Sequence, residues 1–542
     1  MPLRGESRVI PDCISFSSIP HTTKLFSDFL SHSPEIRKFL PHSPESVHIA
    51  EVAAEVPRHD ERQAEVADAL AKQNRAFGAP EQTLHNIQRL REGAFAVVTG
   101  QQVGLFGGPL MGMLKVASVI ALARQVERAG VECVPVFWMA TEDHDLEEVN
   151  QALLPTSDLQ LMPFTANTTG TPNSPVASIR FAEGTNELSA RAAKLLGDSP
   201  AAEYLRDGYR EGETFATAYA KLHARIFGEY GLILLDPSDP ELHRIARPLF
   251  VEAVQRSPEL DTALLARNRE LASAGYHQQV KVTQESTPLF ALVDGARTPV
   301  HRANGDFAIN HELLSFEELR KRIEANPEAF SANVLLRPVL QDYWLPTLAY
   351  IGGPAEIAYF AQAGVVYEKL LGRITPILPR LSATVIEPRI ERLLGKYDVD
   401  LLELFHGECQ LRDCIAARAL PADLRQNFDT AKRAVRETMG QIGASLEKLD
   451  PTLVEAGEGA TSKMLYQVDR LQSRAAQAEV RRNEVLSRHA AQIENALYPH
   501  KTLQEREIAA LYFYAKHGPE LIERLIETAQ AHCPEHKVLV LK

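Results

Sequence analysis

The sequence contains no uninterrupted apolar run that approaches the roughly 18 residues needed for a membrane-spanning helix. It also lacks an apolar stretch after Met1–Glu6 that would serve as the core of a signal peptide. These two absences predict a protein that neither crosses a membrane nor binds one.

Cysteine is scarce, with five in 542 residues, and no two of them stand at a CxxC or zinc-ribbon spacing. The odd number and the irregular spacing argue against a disulfide framework and a zinc site, and they predict reduced thiols in the cytoplasm. The five are Cys13, Cys133, Cys409, Cys414 and Cys533.

A basic excess is also missing, because 58 lysines and arginines stand against 71 aspartates and glutamates, for a net charge of -13. Nucleic-acid binding is therefore not expected, since a basic surface supplies most of the affinity for phosphates. The chain does have length, and 45% of its residues are apolar, which is enough for several domains with ordinary cores. An acidic enzyme with an anionic substrate would concentrate its few cations at the site.

Two apolar runs, Ala94–Val98 and Val134–Met139, are typical of buried strands. Between them, Gly107–Pro109 predicts a turn and a helix start, and the apolar residues that follow recur on one helical face. A strand–helix–strand unit of this kind implies a parallel sheet covered by helices. Residues 1–90 show helical spacing and are predicted to form a helical lead-in.

The same order of strand, turn and helix recurs at Leu232–Leu235, Leu348–Ile351 and Ile374–Leu378. The predicted fold class is therefore α/β, with a Rossmann-type doubly wound parallel sheet. Two long segments between these strands, near residues 150–225 and 260–345, are predicted to be insertions into that sheet.

After about residue 420, apolar residues step mostly by threes and fours through two long stretches. Pro451 and Gly457–Gly459 are predicted to end the first helix, so that two helices form an antiparallel α-helical coiled coil. The alternative is a short helical bundle packed on the core. An apolar stripe left uncovered on the two helices would favour a homodimer. We predict three parts: a core at 1–385, a coiled-coil arm at 386–500, and a segment at 501–542 that returns to the core.

Open α/β sheets bind ligands beyond the carboxyl ends of their strands, which singles out the loop Thr99–Pro109. Its glycines, Gly104 among them, would let the backbone approach a ligand, and its helix start would offer N–H groups to an anion. The loop matches neither the Walker A nor the GxGxxG pattern, and a tight strand-to-helix turn explains the glycines equally well. Thr99, Gln101 and Gln102 are candidate substrate-binding residues, because amides hydrogen-bond sugar hydroxyls and carboxylates.

A second candidate loop carries Asp143 and His144 directly after a predicted strand. A carboxylate beside an imidazole suits a general base or a Mg²⁺–phosphate site, although a structural histidine is the alternative. Asp145 and Glu148 are predicted to form a capping box at the start of the next helix. No metal site is predicted, because the HExxH pattern of zinc enzymes is absent.

The basic groups expected to bind an anionic substrate are Arg337, Arg373 and Arg380, because a guanidinium pairs well with a carboxylate or a phosphate. Each could instead belong to a structural ion pair. Gly353, directly after a predicted strand, is a further candidate for substrate binding. Lys115 is interpreted as part of a solvated helix face.

Several motifs follow one another over nearly the whole chain: Val98–Phe106 with Gly108 and Pro109, Pro135–Trp138 with Glu142–Asp145, Leu336–Pro338 with Gln341 and Asp342, Gly352–Tyr359, and Gln504–Arg506. Singly none of them is specific. Together they resemble the family called BshC, the cysteine ligases of bacillithiol biosynthesis.

The resemblance implies a Rossmann-type core with connecting-peptide insertions, similar to class I nucleotidyltransferases and tRNA synthetases, and a coiled-coil arm that forms a homodimer. It implies the last step of bacillithiol synthesis, in which cysteine is joined to glucosaminyl malate through an amide bond. It also implies ATP or ADP, with Mg²⁺, near the arm, which makes Gln504 and Arg506 candidate nucleotide-binding residues. The HxGH signature of the distant relatives is absent, and Gln101 and Gln102 stand in the corresponding region.

The favoured hypothesis is a ligase in which Arg337 and Arg380 hold the malate carboxylates and Asp143 or His144 acts as the general base. The second hypothesis is a nucleotidyltransferase that acts on another small anionic molecule. The third is a non-catalytic coiled-coil assembly protein with a vestigial core.

Overall fold

The computed structural model describes residues 11–44, 49–57, 60–406, 415, 420–482, 484–530 and 534–541. Cys409, Cys414 and Cys533 lie outside these ranges, and so does the prediction of reduced thiols at those positions. Cys13 is exposed and Cys133 is buried. Among the described residues, no helix combines the length and the apolar character needed to span a bilayer.

The chain begins with a short strand and several helices that precede the core sheet. Leu25, Phe26 and Phe29 recur at helical spacing and are all buried, so the predicted helical lead-in is present. The elements are β1 (Cys13–Ile14), α1 (Lys24–Leu30), α2 (Ile49–Glu55), α3 (Asp60–Ala76) and α4 (Glu81–Arg91).

The first βαβ unit consists of β2 (Phe95–Gln101), α5 (Leu110–Arg128) and β3 (Cys133–Met139). β2 and β3 are parallel and paired along their full length, and nearly every side chain in them is buried, as in strands covered on both faces. The predicted strand ended at Val98, but β2 continues to Gln101. The loop predicted to begin at Thr99 therefore begins later, because Thr99 lies inside the strand.

The first insertion follows β3 and holds two antiparallel strand pairs and three helices of eight residues or more. It packs on the loop between β2 and α5, where the ring of Phe106 lies 5.2 Å from that of Tyr209. Its elements are α6 (Leu146–Val149), β4 (Gln151–Pro155), β5 (Leu161–Thr165), β6 (Thr168–Thr169), β7 (Arg180–Phe181), α7 (Thr185–Leu196), α8 (Pro200–Gly208) and α9 (Phe215–Phe227).

The second insertion follows the next core strand and carries an antiparallel sheet of its own, in the order β12-β11-β10-β9-β13. Its β9 and β13 strands bring side chains to the rim of the core sheet. That core strand is β8 (Ile233–Leu235). The elements after it are α10 (Pro240–Gln255), α11 (Ser257–Ser273), β9 (Ser286–Val293), β10 (Ala296–Ala303), β11 (Asp306–Ile309), β12 (Glu312–Leu314), α12 (Phe316–Ala325), β13 (Phe330–Ala332) and α13 (Arg337–Trp344).

The core sheet is completed by β14 (Thr347–Gly352), α14 (Pro354–Leu371) and β15 (Ile377–Pro379). Its order is β15-β14-β2-β3-β8, and every neighbouring pair is parallel. The chain runs outward from β2 through β3 to β8 and then returns to add β14 and β15 on the other side. This is the doubly wound order that was predicted, and the direction reverses between β2 and β14, where such sheets bind ligands.

Beyond the core, two long helices form the arm, and Lys432 of the first lies 2.5 Å from Asp469 of the second. This pairing makes them antiparallel, as predicted for a coiled-coil hairpin. The elements from the last core strand to the base of the arm are β16 (Ala383–Ile386), α15 (Pro388–Tyr397), α16 (Leu401–His406), α17 (Ala422–Leu449), α18 (Leu453–Arg482) and α19 (Glu484–Leu497).

The turn of the arm lies at Asp450–Thr452 and includes Pro451, where the end of the helix was predicted. The prediction that Gly457–Gly459 also break the helix is wrong, because both glycines lie inside α18. A glycine within a helix costs only about 1 kcal/mol relative to alanine, which packing can offset. A Cβ at Gly457 would stand 3.4 Å from the side chain of Leu446, so glycine suits the close approach of the two helices.

The last described segment returns to the core with α20 (Gln504–Glu507), α21 (Ala510–Gln530) and β17 (His536–Val540). β17 lies between β1 and β16, antiparallel to the first and parallel to the second. α21 packs along α5. Residues from both ends of the described chain therefore meet beside the core sheet.

Candidate active site

A cavity of about 400 Å³ opens at the carboxyl ends of β2, β3 and β14, where the order of the sheet reverses. It gathers cations, carboxylates, amides and aromatic rings from the core, from both insertions and from α20. Its charged and amide side chains are Gln101, Gln102, Lys115, Glu142, Asp143, Glu148, Gln279, Arg297, Asn333, Arg337, Glu356, Arg380 and Arg506.

Glu356, in the first turn of α14, joins three elements at the switch point. Its carboxylate lies 2.6 Å from the ammonium group of Lys115 and accepts a hydrogen bond of 2.6 Å from the hydroxyl of Tyr350. It also accepts a hydrogen bond of 2.7 Å from the backbone N–H of Gly353. Burial alone would raise the pKa of Glu356, but Lys115 and these donors lower it below its usual value, so the carboxylate stays ionised.

Lys115 is buried, and its interpretation as part of a solvated face is wrong. Besides the ion pair with Glu356, its ammonium group donates to the carbonyl of Gly100 at 2.6 Å and to the amide oxygen of Gln101 at 2.9 Å. Burial lowers the pKa of Lys115, and the charge of Glu356 opposes that effect. The sequence did contain a signal, because Lys115 stands in a helix whose neighbouring residues are nearly all apolar.

Three guanidinium groups surround the start of α14. Arg380 is buried and ion-paired at 2.5 Å with Glu505, which is buried as well. Arg337 donates to the hydroxyl of Tyr359, and Arg506 extends from α20 to the cavity wall. In the part of the chain that the structure describes, no carboxylate lies within ion-pair distance of Arg337 or Arg506, so both charges are available to an anion.

Arg337 is held by rings rather than by an acid. The centre of its guanidinium lies 5.3 Å from the ring of Trp138 and 5.1 Å from that of Tyr350. Burial alone would lower the pKa of Arg337, but the nearby tyrosines and Glu356 raise it above its usual value. A half-buried cation whose hydrogen bonds and ring contacts are with uncharged groups suits an anionic ligand.

Arg373, the third predicted arginine, lies outside the cavity wall. Its guanidinium pairs with buried Asp342 at 3.1 Å and donates to the hydroxyl of Thr375 at 2.9 Å. The alternative of a structural ion pair therefore describes Arg373.

A chain of amides crosses the floor of the cavity at the end of β2. The amide nitrogen of Gln101 donates to the amide oxygen of Gln102, and the nitrogen of Gln102 donates to the carboxylate of Glu148. Asp145 caps α6 as predicted, by accepting from the N–H of Glu148. The predicted capping box is not closed, because the Glu148 carboxylate accepts from Gln102 instead.

Glu142 and Asp143 follow β3 and form the acidic side of the cavity. The carboxylate of Asp143 accepts from the backbone N–H of His144, whereas the imidazole Nδ1 of His144 lies 3.6 Å away, beyond hydrogen-bonding distance. His144 does not line the cavity. The predicted acid–imidazole pair is thus not assembled, and Asp143 alone faces the site.

Glu142 was missed as a site residue, although it lies in the same loop. Its carboxylate is 2.8 Å from the imidazole of His243, which is 4% exposed and comes from α10. The loop is fixed by the hydroxyl of Thr141, which donates to buried Asp236 at 2.5 Å, and by backbone bonds from the first insertion. No short-range pattern connects Glu142 with a histidine about a hundred residues later.

Three other predicted residues lie behind the cavity rather than in its wall. Buried Thr99 donates to the carbonyl of Ile351 and so joins β2 to β14. Gly104 packs against the backbone of Gly108, where a Cβ would come within 2.8 Å. Gln504 is buried, and its amide bonds the backbone of Val385.

The glycine-rich loop packs mainly against other parts of the protein. The first N–H of α5, at Leu110, donates to the carbonyl of Ile508, and Phe106 is buried against the first insertion. The N–H of Leu110 is therefore not available to an anion, and the tight-turn interpretation fits the packing of the loop. Within the described ranges, no three side chains of His, Cys, Asp or Glu come together as a metal site would require.

Comparison with known proteins accounts for nearly the whole chain. Residues 11–381 match the family model "Bacillithiol biosynthesis BshC, N-terminal Rossmann-like domain", and residues 383–541 match "Bacillithiol biosynthesis BshC, C-terminal coiled-coil domain". A protein of Koribacter versatilis named "Putative cysteine ligase BshC" is 51% identical over 98% of this chain and 100% of its own length. A protein of the same name from Solibacter usitatus is 35% identical over 98% of this chain and 99% of its own length. Another from Salinibacter ruber is 31% identical over 95% of this chain and 96% of its own length. The chain belongs to the BshC family.

Proposed function

We propose that this chain is a ligase that joins the carboxyl group of cysteine to the amino group of glucosaminyl malate through an amide bond. The names of its relatives support the reaction class. The observation that carries the proposal is the division of charge in the cavity. The guanidinium groups of Arg337 and Arg506, which have no ion-pair partner among the described residues, lie at one side, and the carboxylates of Glu142 and Asp143 lie at the other. Arg380, by contrast, is already paired with Glu505.

The two sides are separated by the end of β2. Arg337, Arg380 and Arg506 cluster around the start of α14, whereas Glu142 and Asp143 follow β3. Since β2 lies between β14 and β3, two strand spacings, or about 10 Å, lie between the two sides. A sugar that carries a dicarboxylate on one carbon and an amine on another suits this arrangement, with the amides at the end of β2 beneath it.

The chemistry requires an unprotonated amine. Its nitrogen would attack the activated carboxyl carbon of cysteine, the new C–N bond would form as the leaving group departs with its electron pair, and the amine would lose a proton. Asp143 is positioned to accept that proton, because it lines the cavity on the acidic side and its carboxylate is fixed by a backbone N–H.

We further propose that ATP with Mg²⁺ supplies the activation of the cysteine carboxyl. Arg506 would hold a phosphate, since its guanidinium reaches the cavity and has no carboxylate partner among the described residues. Gln504 does not fit this role, because its amide is occupied by backbone groups. Mg²⁺ would enter with the phosphates, as it commonly does.

The test is mass spectrometry of the purified protein incubated with glucosaminyl malate, cysteine, ATP and Mg²⁺, with ATP omitted in a parallel tube. We expect the amide product only in the complete mixture, together with AMP or ADP as the record of how the carboxyl was activated. A product that carries a nucleotide would replace the ligase by a nucleotidyltransferase. A folded protein that yields no product in any tube would contradict the proposal.

The arm supports a second proposal, that the protein is a homodimer paired through α17 and α18. Ile442, Met464 and Leu471 are 42%, 48% and 60% exposed, although they belong to the apolar repeat of the coiled coil. A second copy would cover them. We also propose that the reaction takes place in the cytoplasm, because cysteine and a thiol product stay reduced there.

Replacing Leu471 with glutamate should convert the dimer into a monomer, because the new charge would be buried in the apolar contact. Sedimentation velocity of the two proteins at the same concentration measures the change. Ser473→Glu, at an exposed position two residues later on the same helix, is the matched control and should remain dimeric. A wild-type protein that sediments as a monomer at micromolar concentration would contradict the proposal.

A further inference from the structure

The pair formed by Glu142 and His243 has no part in the reaction as described so far. The carboxylate oxygen Oε1 of Glu142 lies 2.8 Å from Nε2 of His243. Glu142 lines the cavity, whereas His243 lies behind it in α10 and is 4% exposed. An ionisable pair that spans the wall of a site in this way fixes one residue for use by a ligand.

His243 is held as a double donor. Its other nitrogen, Nδ1, lies 3.3 Å from the carbonyl oxygen of Pro327, so both ring nitrogens face acceptors. Burial alone would lower the pKa of His243, but the hydrogen bond to Glu142 and its charge raise it above the usual value. The imidazole fixes the Oε1 oxygen of the Glu142 carboxylate, and no hydrogen bond to Oε2 is found among the described residues.

Other charges near Glu142 come from two further elements. Arg297 of β10 interacts electrostatically with Glu142 and Asp143, while its Nε donates to Ser331 and its Nη2 to the carbonyl of Ala332. Asp236, after β8, accepts hydrogen bonds from Thr141 and Ser238. Among the described residues, neither group forms a hydrogen bond with Glu142.

We propose that Glu142 binds the amino group of the sugar substrate and selects for it, with His243 as the residue that positions Glu142. The inference rests on the proposed function and specifies how its amine is recognised. The malate carboxylates would lie at the guanidinium groups, and the amine, on the ring carbon next to the one that carries malate, would be directed to the residues that follow β3. A carboxylate there favours an ammonium or amine over an N-acyl group, which has no positive charge and one N–H.

The test is isothermal titration calorimetry of the full-length protein with glucosaminyl malate and with its N-acetylated analogue. The wild type should bind the amine more tightly than the N-acetyl compound by roughly 10- to 100-fold, as one charge-assisted hydrogen bond allows. Glu142→Gln, which keeps the size of the side chain, should lower this ratio to near one. It should also raise the KM for glucosaminyl malate while leaving the KM for cysteine unchanged.

Variants of His243 separate positioning from folding. His243→Gln keeps an N–H donor near Nε2 and should retain most of the preference for the amine, whereas His243→Leu should lose it. Glu147→Gln, an exposed carboxylate in the same segment that does not line the cavity, is the matched control and should behave as the wild type.

Three results would overturn the inference. If Glu142→Gln keeps the full preference for the amine, Glu142 does not select the substrate, although the ligase proposal stands. If the variant instead raises the KM for cysteine alone, the carboxylate serves the ammonium group of cysteine. A wild type that binds neither sugar would overturn the inference together with the proposed function.

Discussion

Replacing Arg337 with glutamine should lower kcat/KM for glucosaminyl malate on the order of a hundredfold, because a desolvated charge pair with a substrate carboxylate contributes about 3 kcal/mol. The same variant should unfold at a slightly lower urea concentration than the wild type, because it gives up the ring contacts of the guanidinium and its hydrogen bond to Tyr359. The loss should be small, since Arg337 has no carboxylate partner among the described residues and its removal leaves no buried acid unpaired.

Arg373→Gln is the matched control, because it removes an arginine that does have a buried acidic partner. That variant should lose stability, by about 3–5 kcal/mol, since Asp342 would be left buried without its counter-charge. Kinetics at saturating cysteine and urea titrations of both variants give the comparison. A variant at Arg337 with unchanged kcat/KM would remove this residue from substrate binding.

Replacing Glu356 with glutamine should destabilise the core by about 3–5 kcal/mol, because it leaves the ammonium group of Lys115 buried without its counter-charge. The pKa of Glu356 is lowered in the folded protein. Its contribution is therefore complete above the ordinary carboxyl pKa of about 4.3 and is lost as the pH falls through the lowered value. The difference in stability between wild type and variant should accordingly shrink at acidic pH.

The fluorescence of Trp138 and Trp344 suits this measurement, because the chain has two tryptophans and both are buried in the core, with rings 5.4 Å apart. Their signal reports the unfolding of the core and not of the arm. Lys115→Met combined with Glu356→Gln should recover much of the loss, since neither charge remains. Equal losses in the single and double variants would mean that the ion pair does not couple α5 to α14.

The parallel sheet could be predicted from the sequence because its information is local. Four of the five core strands are short apolar runs followed by a turn and a helix, and the position of the site follows from that order alone. Seven of the predicted site residues line the cavity, namely Gln101, Gln102, Asp143, Arg337, Gly353, Arg380 and Arg506.

The partners of these residues could not be predicted, because they come from distant parts of the chain. Arg337, Arg373 and Arg380 look alike in the sequence, yet one has no acid, one pairs with Asp342 and one pairs with Glu505. Only the folded chain brings the acids into place.

The prediction that the glycines of the loop Thr99–Pro109 admit a ligand was uncertain for a different reason. Glycine permits the close approach of a ligand and the close approach of another piece of backbone equally well. At Gly104 the second use applies, since its neighbour is Gly108. The same ambiguity applies to Gly457 in the arm, which was predicted to end a helix. It lies inside α18 and allows the close approach of Leu446 from α17.

The ion pair between Arg380 and Glu505 joins residues 125 positions apart, with the whole arm between them. During synthesis the five core strands therefore emerge well before the acid that neutralises the buried arginine. Until α20 docks, the sheet carries an uncompensated cation at its ligand-binding edge, and the wall that holds Arg506 is missing. The sheet can thus form early on the ribosome, but the active site is assembled late, and a chain interrupted within the arm would have the fold of the core without its chemistry.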